Sequence, residues 1–161
     1  RDVERCRSAG LLYLRKPVRR TDLFRLFERL TNPGQLTTWS NPSRPLTPAL
    51  SAGPGRLHVL VVEDNDEVRQ GVVELLTGWG YGVVAADRPD NAAALLEKDA
   101  AFDLLFSDVV MPGSLTAIEL AAMAQRLRPG MAVLLTSGSP LKPASVRETV
   151  AATRVRDVAF R

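Results

Sequence analysis

Residues 57–64 have the sequence LHVLVVED, an apolar run followed directly by Glu63 and Asp64. A bounded apolar run of this length predicts a buried β-strand. The same pattern recurs at residues 104–108, LLFSD, which end on Asp108. It recurs again at residues 131–137, MAVLLTS, which end on Thr136 and Ser137. Three predicted strands therefore each lead into polar side chains.

Helical apolar spacing is found between and after these runs, at residues 68–77, 91–98, 117–127 and 145–152, and residues 81–86 predict one more strand. Strands that alternate with helices of this length are typical of a parallel sheet covered on both faces. The sequence thus predicts an α/β fold with a doubly wound parallel sheet.

The polar strand ends predict a site. In open parallel sheets, ligands bind beyond the carboxyl ends of the strands, so Glu63, Asp64, Asp108 and Thr136 should meet at one edge. Crowded carboxylates repel one another, and a hard cation with oxygen ligands, Mg²⁺, relieves this. Asp108 could then act as a nucleophile in phosphoryl transfer, with Thr136 donating to a phosphoryl oxygen. Acids after a strand are also common in solvated loops or at helix N-termini, and we interpret Asp66 and Glu67 as first-turn acids of the helix that follows Glu63 and Asp64.

Three motifs resemble the receiver domain of response regulators in two-component signalling. They are VLVVEDN at residues 59–65, LLFSDVVMPG at residues 104–113 and VLLTSG at residues 133–138. The resemblance covers about half of the chain and implies a flavodoxin-like fold with the strand order 2-1-3-4-5. The motifs are most similar to those of receivers attached to hybrid sensor histidine kinases. It implies that Asp108 is the phosphoacceptor and that Glu63, Asp64, Asp108 and the backbone carbonyl of Val110 bind Mg²⁺.

The same resemblance implies that Thr136 is the switch residue. It also implies that the partner is a histidine kinase or a histidine phosphotransfer domain. His58, the single histidine, opens a predicted strand and lacks a helical phosphodonor context, so the phosphoryl group should come from that partner. Receivers catalyse their own phosphorylation, yet they are signalling modules rather than metabolic enzymes.

The family pattern also needs a lysine and a proline just after the fifth strand, and residues 57–161 stop short of them. Residues 158–160 resemble the start of strand five, with Phe160 as a candidate switch aromatic. Lys142-Pro143 follows Thr136 too closely to serve. Residues 11–18, LLYLRKPV, resemble strand five with its aromatic Tyr13, its Lys16 and its proline.

We therefore predict three regions. Residues 1–30 are the strand five and last helix of a preceding receiver, residues 31–56 are a linker rich in proline, and residues 57–161 are a receiver without its own closing helix. The helix at residues 22–30, capped by Thr21, would present Leu23, Phe24, Phe27 and Leu30 on one face. The parent would be a longer protein with tandem receivers.

A sharper hypothesis has residues 11–30 fold back as the last strand and helix of the C-terminal domain, which brings Lys16 beside Asp108. Residues 31–56 could span roughly 90 Å when extended, and closing such a loop costs only a few kcal/mol. The alternative, a detached N-terminal remnant, stays open at this point.

Composition narrows the function classes. No apolar run approaches the roughly 20 residues of a membrane-spanning helix, and the single cysteine, Cys6, forms no intrachain disulfide, so we predict a cytoplasmic protein. Residues 1–56 hold 11 Lys and Arg against 4 Asp and Glu, whereas residues 57–161 hold 10 against 14. No basic run with interleaved aromatic residues accompanies this charge, so nucleic-acid binding is the lowest-ranked hypothesis. The two hypotheses ranked above it are a receiver that switches conformation and a receiver-fold interaction module that does not.

Overall fold

The computed structural model of the protein describes residues 11–31, 57–98 and 101–138. Within these ranges it contains five strands and four helices. The strands are β1 (Leu11–Arg15), β2 (His58–Val62), β3 (Gly82–Ala86), β4 (Leu104–Asp108) and β5 (Ala132–Ser137). The helices are α1 (Arg20–Thr31), α2 (Asp66–Gly78), α3 (Pro89–Lys98) and α4 (Ala117–Leu127).

The five strands form one parallel sheet in the order β3-β2-β4-β5-β1. The predicted order 2-1-3-4-5 counts the strands from the start of the C-terminal domain. Its first four places are taken by β3, β2, β4 and β5, in that order, and its fifth place is taken by β1. The prediction of a doubly wound parallel sheet is confirmed. The predicted helix at residues 145–152 and the strand at residues 158–160 lie outside the described residues.

The last place in the sheet is filled from the N-terminal side of the chain. Residues Leu11 to Arg15 pair in parallel with Val133 to Ser137. The backbone N–H of Lys16 then donates to the Ser137 carbonyl at 2.8 Å, which extends the pairing beyond the strand. The Lys16–Pro17 peptide bond is cis. The fold is therefore a circular permutation, in which the fifth strand precedes the other four in sequence.

Two apolar layers cover the sheet. Alternate residues of a strand point to opposite faces, so Leu60 and Leu105 join the layer under α3 and α4, while Val61 and Phe106 join the layer under α1 and α2. All four of these side chains are buried. The strands are apolar on both faces, as expected for a parallel sheet buried between helices.

Helix α1 is held by apolar and aromatic contacts. Leu23 and Phe27 are buried in the layer shared with α2. Phe24 packs edge-to-face on Trp79, with ring centroids 5.0 Å apart, and Phe27 lies 5.2 Å from the ring of Tyr81. These contacts fix the helix that the sequence predicts at residues 22–30.

The predicted cap of this helix is wrong. Thr21 lies within α1, because the helix already begins at Arg20 and the Arg19 carbonyl accepts bonds from Asp22 and Leu23. The start of α2 follows stronger local chemistry. Asn65 caps it by accepting from the Val68 amide at 3.0 Å, so α2 starts at Asp66, and Asp66 and Glu67 lie in its first turn as predicted.

Two glycines should respond oppositely to alanine. Gly113 has φ = +155°, and a Cβ there would lie 2.6 Å from Asp90 Oδ2, the atom that accepts from the Ser114 amide. Gly71 lies exposed inside α2, with nothing within 4 Å of a Cβ. In urea unfolding, we expect Gly113→Ala to lower the free energy of unfolding by about 1–3 kcal/mol. Gly71→Ala should raise it by about 0.5–1 kcal/mol. A shift of the same sign in both variants would contradict the described loop.

Candidate functional site

Four strands deliver polar side chains to one edge of the sheet. Glu63 and Asp64 follow β2, Asp108 ends β4, and Thr136 lies near the end of β5. Lys16 follows β1. Because all these strands are parallel, their carboxyl ends lie at the same edge, and residues far apart in sequence become neighbours.

The three acids form a compact cluster. Carboxylate oxygens of Glu63, Asp64 and Asp108 lie within 4.8 Å of one another. Glu63 is 2% exposed and Asp108 is 7% exposed, whereas Asp64 is open to solvent. Two buried carboxylates at this separation repel each other strongly, so the cluster needs a cation.

Lys16 provides a positive charge at the cluster. Its Nζ lies 2.7 Å from Asp108 Oδ2 and 3.2 Å from Glu63 Oε2, within hydrogen-bond reach of both. The sequence hypothesis that residues 11–30 fold back and place Lys16 beside Asp108 is the arrangement that the structure has. The ammonium group thus bridges a nearly buried pair of acids.

Burial and the neighbouring charges together shift the pKa values of Lys16 and Glu63. Burial works to lower the pKa of Lys16, but its hydrogen bonds to Asp108 and Glu63 and their negative charges outweigh burial, so the pKa is raised above 10.5. Burial raises the pKa of Glu63, with a further contribution from the charge of Asp108, although Lys16 opposes the shift. The two shifts are the electrostatic signature of a crowded acidic site.

Backbone groups orient both buried acids. The Val109 amide donates to Asp108 Oδ1 at 2.7 Å, while the Asn65 amide lies 3.4 Å from Glu63 Oε1. The Ser107 hydroxyl donates to the Asp108 carbonyl at 2.8 Å. With Lys16 on Oδ2 and an amide on Oδ1, the Asp108 carboxylate has a fixed orientation.

Thr136 contributes a hydroxyl that has no hydrogen-bond partner among the described residues. Its residue is paired with Asp108 in the β4–β5 register, and the Val109 amide donates to its carbonyl at 2.9 Å. The side chain is 1% exposed, and within the described residues Thr136 Oγ1 makes no hydrogen bond. An unsatisfied buried hydroxyl is costly, and a ligand oxygen bound at this edge would satisfy it.

The remaining predicted site residues are placed less fully. Val110 lies two residues after Asp108 in the turn that follows β4, and its side chain is 68% exposed. Tyr13 belongs to β1 and pairs with Leu135, but its side chain is not among those described. Phe160 lies outside the described residues. The roles of Val110, Tyr13 and Phe160 stay predictions.

Arg69 belongs to the site, although the sequence did not point to it. Its Nη1 donates to the Glu63 carbonyl at 2.9 Å, and its Nη2 pairs with Asp66 one helical turn earlier. It therefore holds the turn that presents Glu63 and Asp64. The spacing of Asp66 and Arg69 could have indicated the ion pair, but the bond to the carbonyl depends on how the chain leaves β2.

The acidic cluster fits a magnesium ion. Mg²⁺ takes oxygen ligands at 2.0–2.1 Å in octahedral geometry, so ligands on opposite sides of the ion are about 4 Å apart. Each of the three acids offers one carboxylate oxygen, and these oxygens lie within 4.8 Å of one another, a limit slightly wider than this span. Glu63, Asp64 and Asp108 would hold the ion.

Comparison with known proteins identifies the family. Residues 59–153 match the family described as "Response regulator receiver domain", and the chain belongs to this family. A curated relative, the response regulator receiver protein CpdR of Brucella abortus, is 32% identical over 80 residues, which are 50% of this chain and 65% of that protein.

Solved structures of receiver domains share the fold. A response regulator receiver protein from Pseudomonas putida matches with a TM-score of 0.51 at 23% identity, and the match covers 62% of this chain and 80% of that protein's chain. The signal receiver domain of an HD domain-containing protein from Pseudomonas fluorescens matches with a TM-score of 0.51 at 22% identity, over 63% of this chain and 74% of that chain.

Among the described residues, no helix has the length and apolar character of a membrane span.

The Lys16 contacts generate a prediction on pH. Because the pKa of Lys16 is raised on folding, its stabilising contribution is complete below pH 10.5 and is lost as the pH rises through the folded-state pKa. We expect Lys16→Met to lower the free energy of unfolding at neutral pH, and this deficit to shrink above pH 10.5. Denaturant unfolding at a series of pH values measures it. Lys98→Met, at the exposed end of α3, controls for the loss of a lysine, and an equal trend in both variants would refute the assignment.

Proposed function

We propose that this receiver domain accepts a phosphoryl group on Asp108, in a reaction that requires Mg²⁺, and that it responds by changing conformation. The observation that carries the proposal is the Asp108 carboxylate, which lies between the Lys16 ammonium at 2.7 Å and two further acids. A nucleophilic carboxylate, a cation site and a lysine at one sheet edge are the parts that phosphoryl transfer requires.

The donor class is phosphohistidine on a histidine kinase or a histidine phosphotransfer domain. A carboxylate oxygen of Asp108 would form a bond to phosphorus as the bond between phosphorus and the imidazole nitrogen breaks, and the imidazole leaves with the electron pair. The product is an acyl phosphate on Asp108 and a free histidine on the partner. A divalent ion, when bound, supplies positive charge to the phosphoryl oxygens.

The other residues of the chain have distinct tasks in this reaction. The Val109 amide and the Lys16 ammonium hold the two Asp108 oxygens, so the nucleophile is oriented before the donor arrives. Lys16 can transfer its hydrogen bonds from the carboxylates to phosphoryl oxygens, acting as a point charge. Glu63 and Asp64 would share the metal ion with Asp108.

Thr136 is the proposed switch. Its buried hydroxyl lacks a partner within the described residues, and a phosphoryl oxygen on Asp108 would provide an acceptor. Gaining this bond would pull on β5, the strand that pairs with β1. A new charge-assisted bond that biases a packed element is how such modifications act on a fold.

We also propose that the parent protein is a hybrid histidine kinase with tandem receivers, working in the cytoplasm. The support is the N-terminal segment, which has the strand, the lysine, the proline and the amphipathic helix of a receiver's C-terminal end. In that parent, residues 1–30 would be the C-terminal end of a preceding receiver and residues 31–56 would link it to the next. In this chain the strand and lysine of that segment lie instead in the sheet and site of the receiver that follows. Sequencing of the flanking regions tests this.

Labelling by acetyl phosphate with Mg²⁺ tests the central proposal. The unmodified chain should gain one phosphoryl group, seen as about 80 Da in intact mass, and chelation of Mg²⁺ should abolish the labelling. Asp108→Asn should lose at least about a hundredfold in labelling rate, because the amide is a poor nucleophile. Asp103→Asn is the matched control, since Asp103 lies before β4, at the opposite edge of the sheet.

The labelling result also decides between the candidate functions. If the unmodified chain took no label with Mg²⁺, the domain would be a receiver-fold interaction module that does not switch. Labelling that survives in Asp108→Asn would assign the phosphoacceptor to another residue.

Thr136→Val should separate stability from function. Valine matches threonine in shape and removes the unpartnered hydroxyl, so we expect the free energy of unfolding to rise by about 1 kcal/mol. The labelling rate should fall by about tenfold or more, because a donor to the phosphoryl oxygens is lost. Thr77→Val, at an exposed position of α2, is the control. A variant that is both less stable and equally reactive would remove Thr136 from the switch.

A further inference from the structure

We propose that residues 11–31 form a reversible part of the phosphoacceptor site, whose docking is strengthened when the site carries a phosphoryl group. This inference rests on the proposed function and concerns its regulation. The segment comprises β1, Lys16 and α1, and it is called the docking segment below. Its docked state is the one in which Lys16 contacts Asp108.

The docking segment is separable from the rest of the sheet by its position. Among the described strands, β1 lies at the edge and pairs with β5 alone, whereas β5, β4, β2 and β3 form a continuous sheet without it. Helix α1 packs on the turn between α2 and β3 through the aromatic pairs with Trp79 and Tyr81, and its Leu23 and Phe27 are buried in the layer that α2 shares. Residues 32–56 join the segment to β2, so its departure leaves it tethered nearby.

The chemistry of the site depends on this segment. Among the described residues, Lys16 is the cation within ion-pair distance of Asp108 and Glu63. When the segment leaves, two nearly buried carboxylates lose their ammonium partner. A phosphoryl group on Asp108 would add close to two negative charges at this point, and only the docked segment can bring Lys16 to meet them.

Linkage makes this relation reciprocal. A ligand that binds the docked state better than the undocked state raises the docked fraction, and any change that lowers the docked fraction weakens the ligand by the same factor. The apparent dissociation constant is the intrinsic one divided by the docked fraction. The apolar contacts of α1 should therefore tune phosphoryl affinity although they supply none of its hydrogen-bonding groups.

Hydrogen exchange on the full chain tests the proposal, with Mg²⁺ alone as the reference and Mg²⁺ plus beryllofluoride as the phosphoryl mimic. We expect amide exchange in residues 11–31 to slow by about fivefold or more in the presence of beryllofluoride. Exchange in α3, which packs on the other face of the sheet, should change less than about twofold. Bound beryllofluoride is measured independently by ¹⁹F NMR.

Two leucines provide matched variants. Leu23 on α1 and Leu96 on α3 are 3% and 4% exposed, on opposite faces of the sheet. Leu23→Ala should speed exchange in residues 11–31 relative to β2 and weaken beryllofluoride binding by about fivefold. Leu96→Ala should leave that exchange ratio and the affinity within about twofold of the unmodified chain.

Each outcome is decisive. If no bound fluoride signal is found, the proposed function and this inference fail together. If fluoride binds but exchange in residues 11–31 stays at its reference rate or slows equally with α3, only the inference fails, because the segment then opens with the whole domain. Equal weakening by Leu23→Ala and Leu96→Ala also overturns it. The comparison on the unmodified chain stands even if Leu23→Ala does not fold.

Discussion

The ion pair between Lys16 and Asp108 is the interaction on which the rest of the site depends. Three carboxylates lie within 4.8 Å of one another, two of them nearly buried, and their mutual repulsion is relieved by a nearby cation. The Lys16 ammonium, at 2.7 Å and 3.2 Å from two of these acids, supplies a positive charge at that point. The same crowding that makes the acids costly to bury makes them suited to hold Mg²⁺ and a phosphoryl group.

Lys16 can lie 92 residues before Asp108 in sequence and still reach it, because the order of strands in the sheet, and not the order in the chain, decides which residues meet at the site. A parallel strand that pairs beside β5 delivers the residue after it to the same edge as Asp108, wherever that strand lies along the chain. Loop-closure entropy grows only slowly with loop length, so the long connection between α1 and β2 opposes this arrangement weakly. The burial of Leu23 and Phe27 offsets it.

Local sequence patterns were sufficient to predict the strands, their parallel arrangement and the three acids at their ends. Apolar runs that end in Glu63-Asp64 and in Asp108 carry that information within a few residues each. Whether residues 11–30 dock was not predictable in the same way, because it depends on the fit of an aromatic surface formed by Trp79 and Tyr81. The bond from Arg69 to the Glu63 carbonyl was missed for a related reason, since a carbonyl has no sequence signature.

The buried acids of the site have hydrogen-bond partners, but the hydroxyl of Thr136 has none among the described residues. Lys16, the Val109 amide and the Asn65 amide satisfy the buried acids, while Thr136 Oγ1 is without a partner in the described part of the chain. A fully satisfied site would have nothing to gain from a phosphoryl group, because catalysis and switching need interactions that form only when the charge arrives. Burying Thr136 Oγ1 without a described hydrogen-bond partner costs some folding free energy, and a ligand oxygen that accepted from it would offset that cost. Since β5 also pairs with β1, a new hydrogen bond at Thr136 would act on the strand that leads to Lys16.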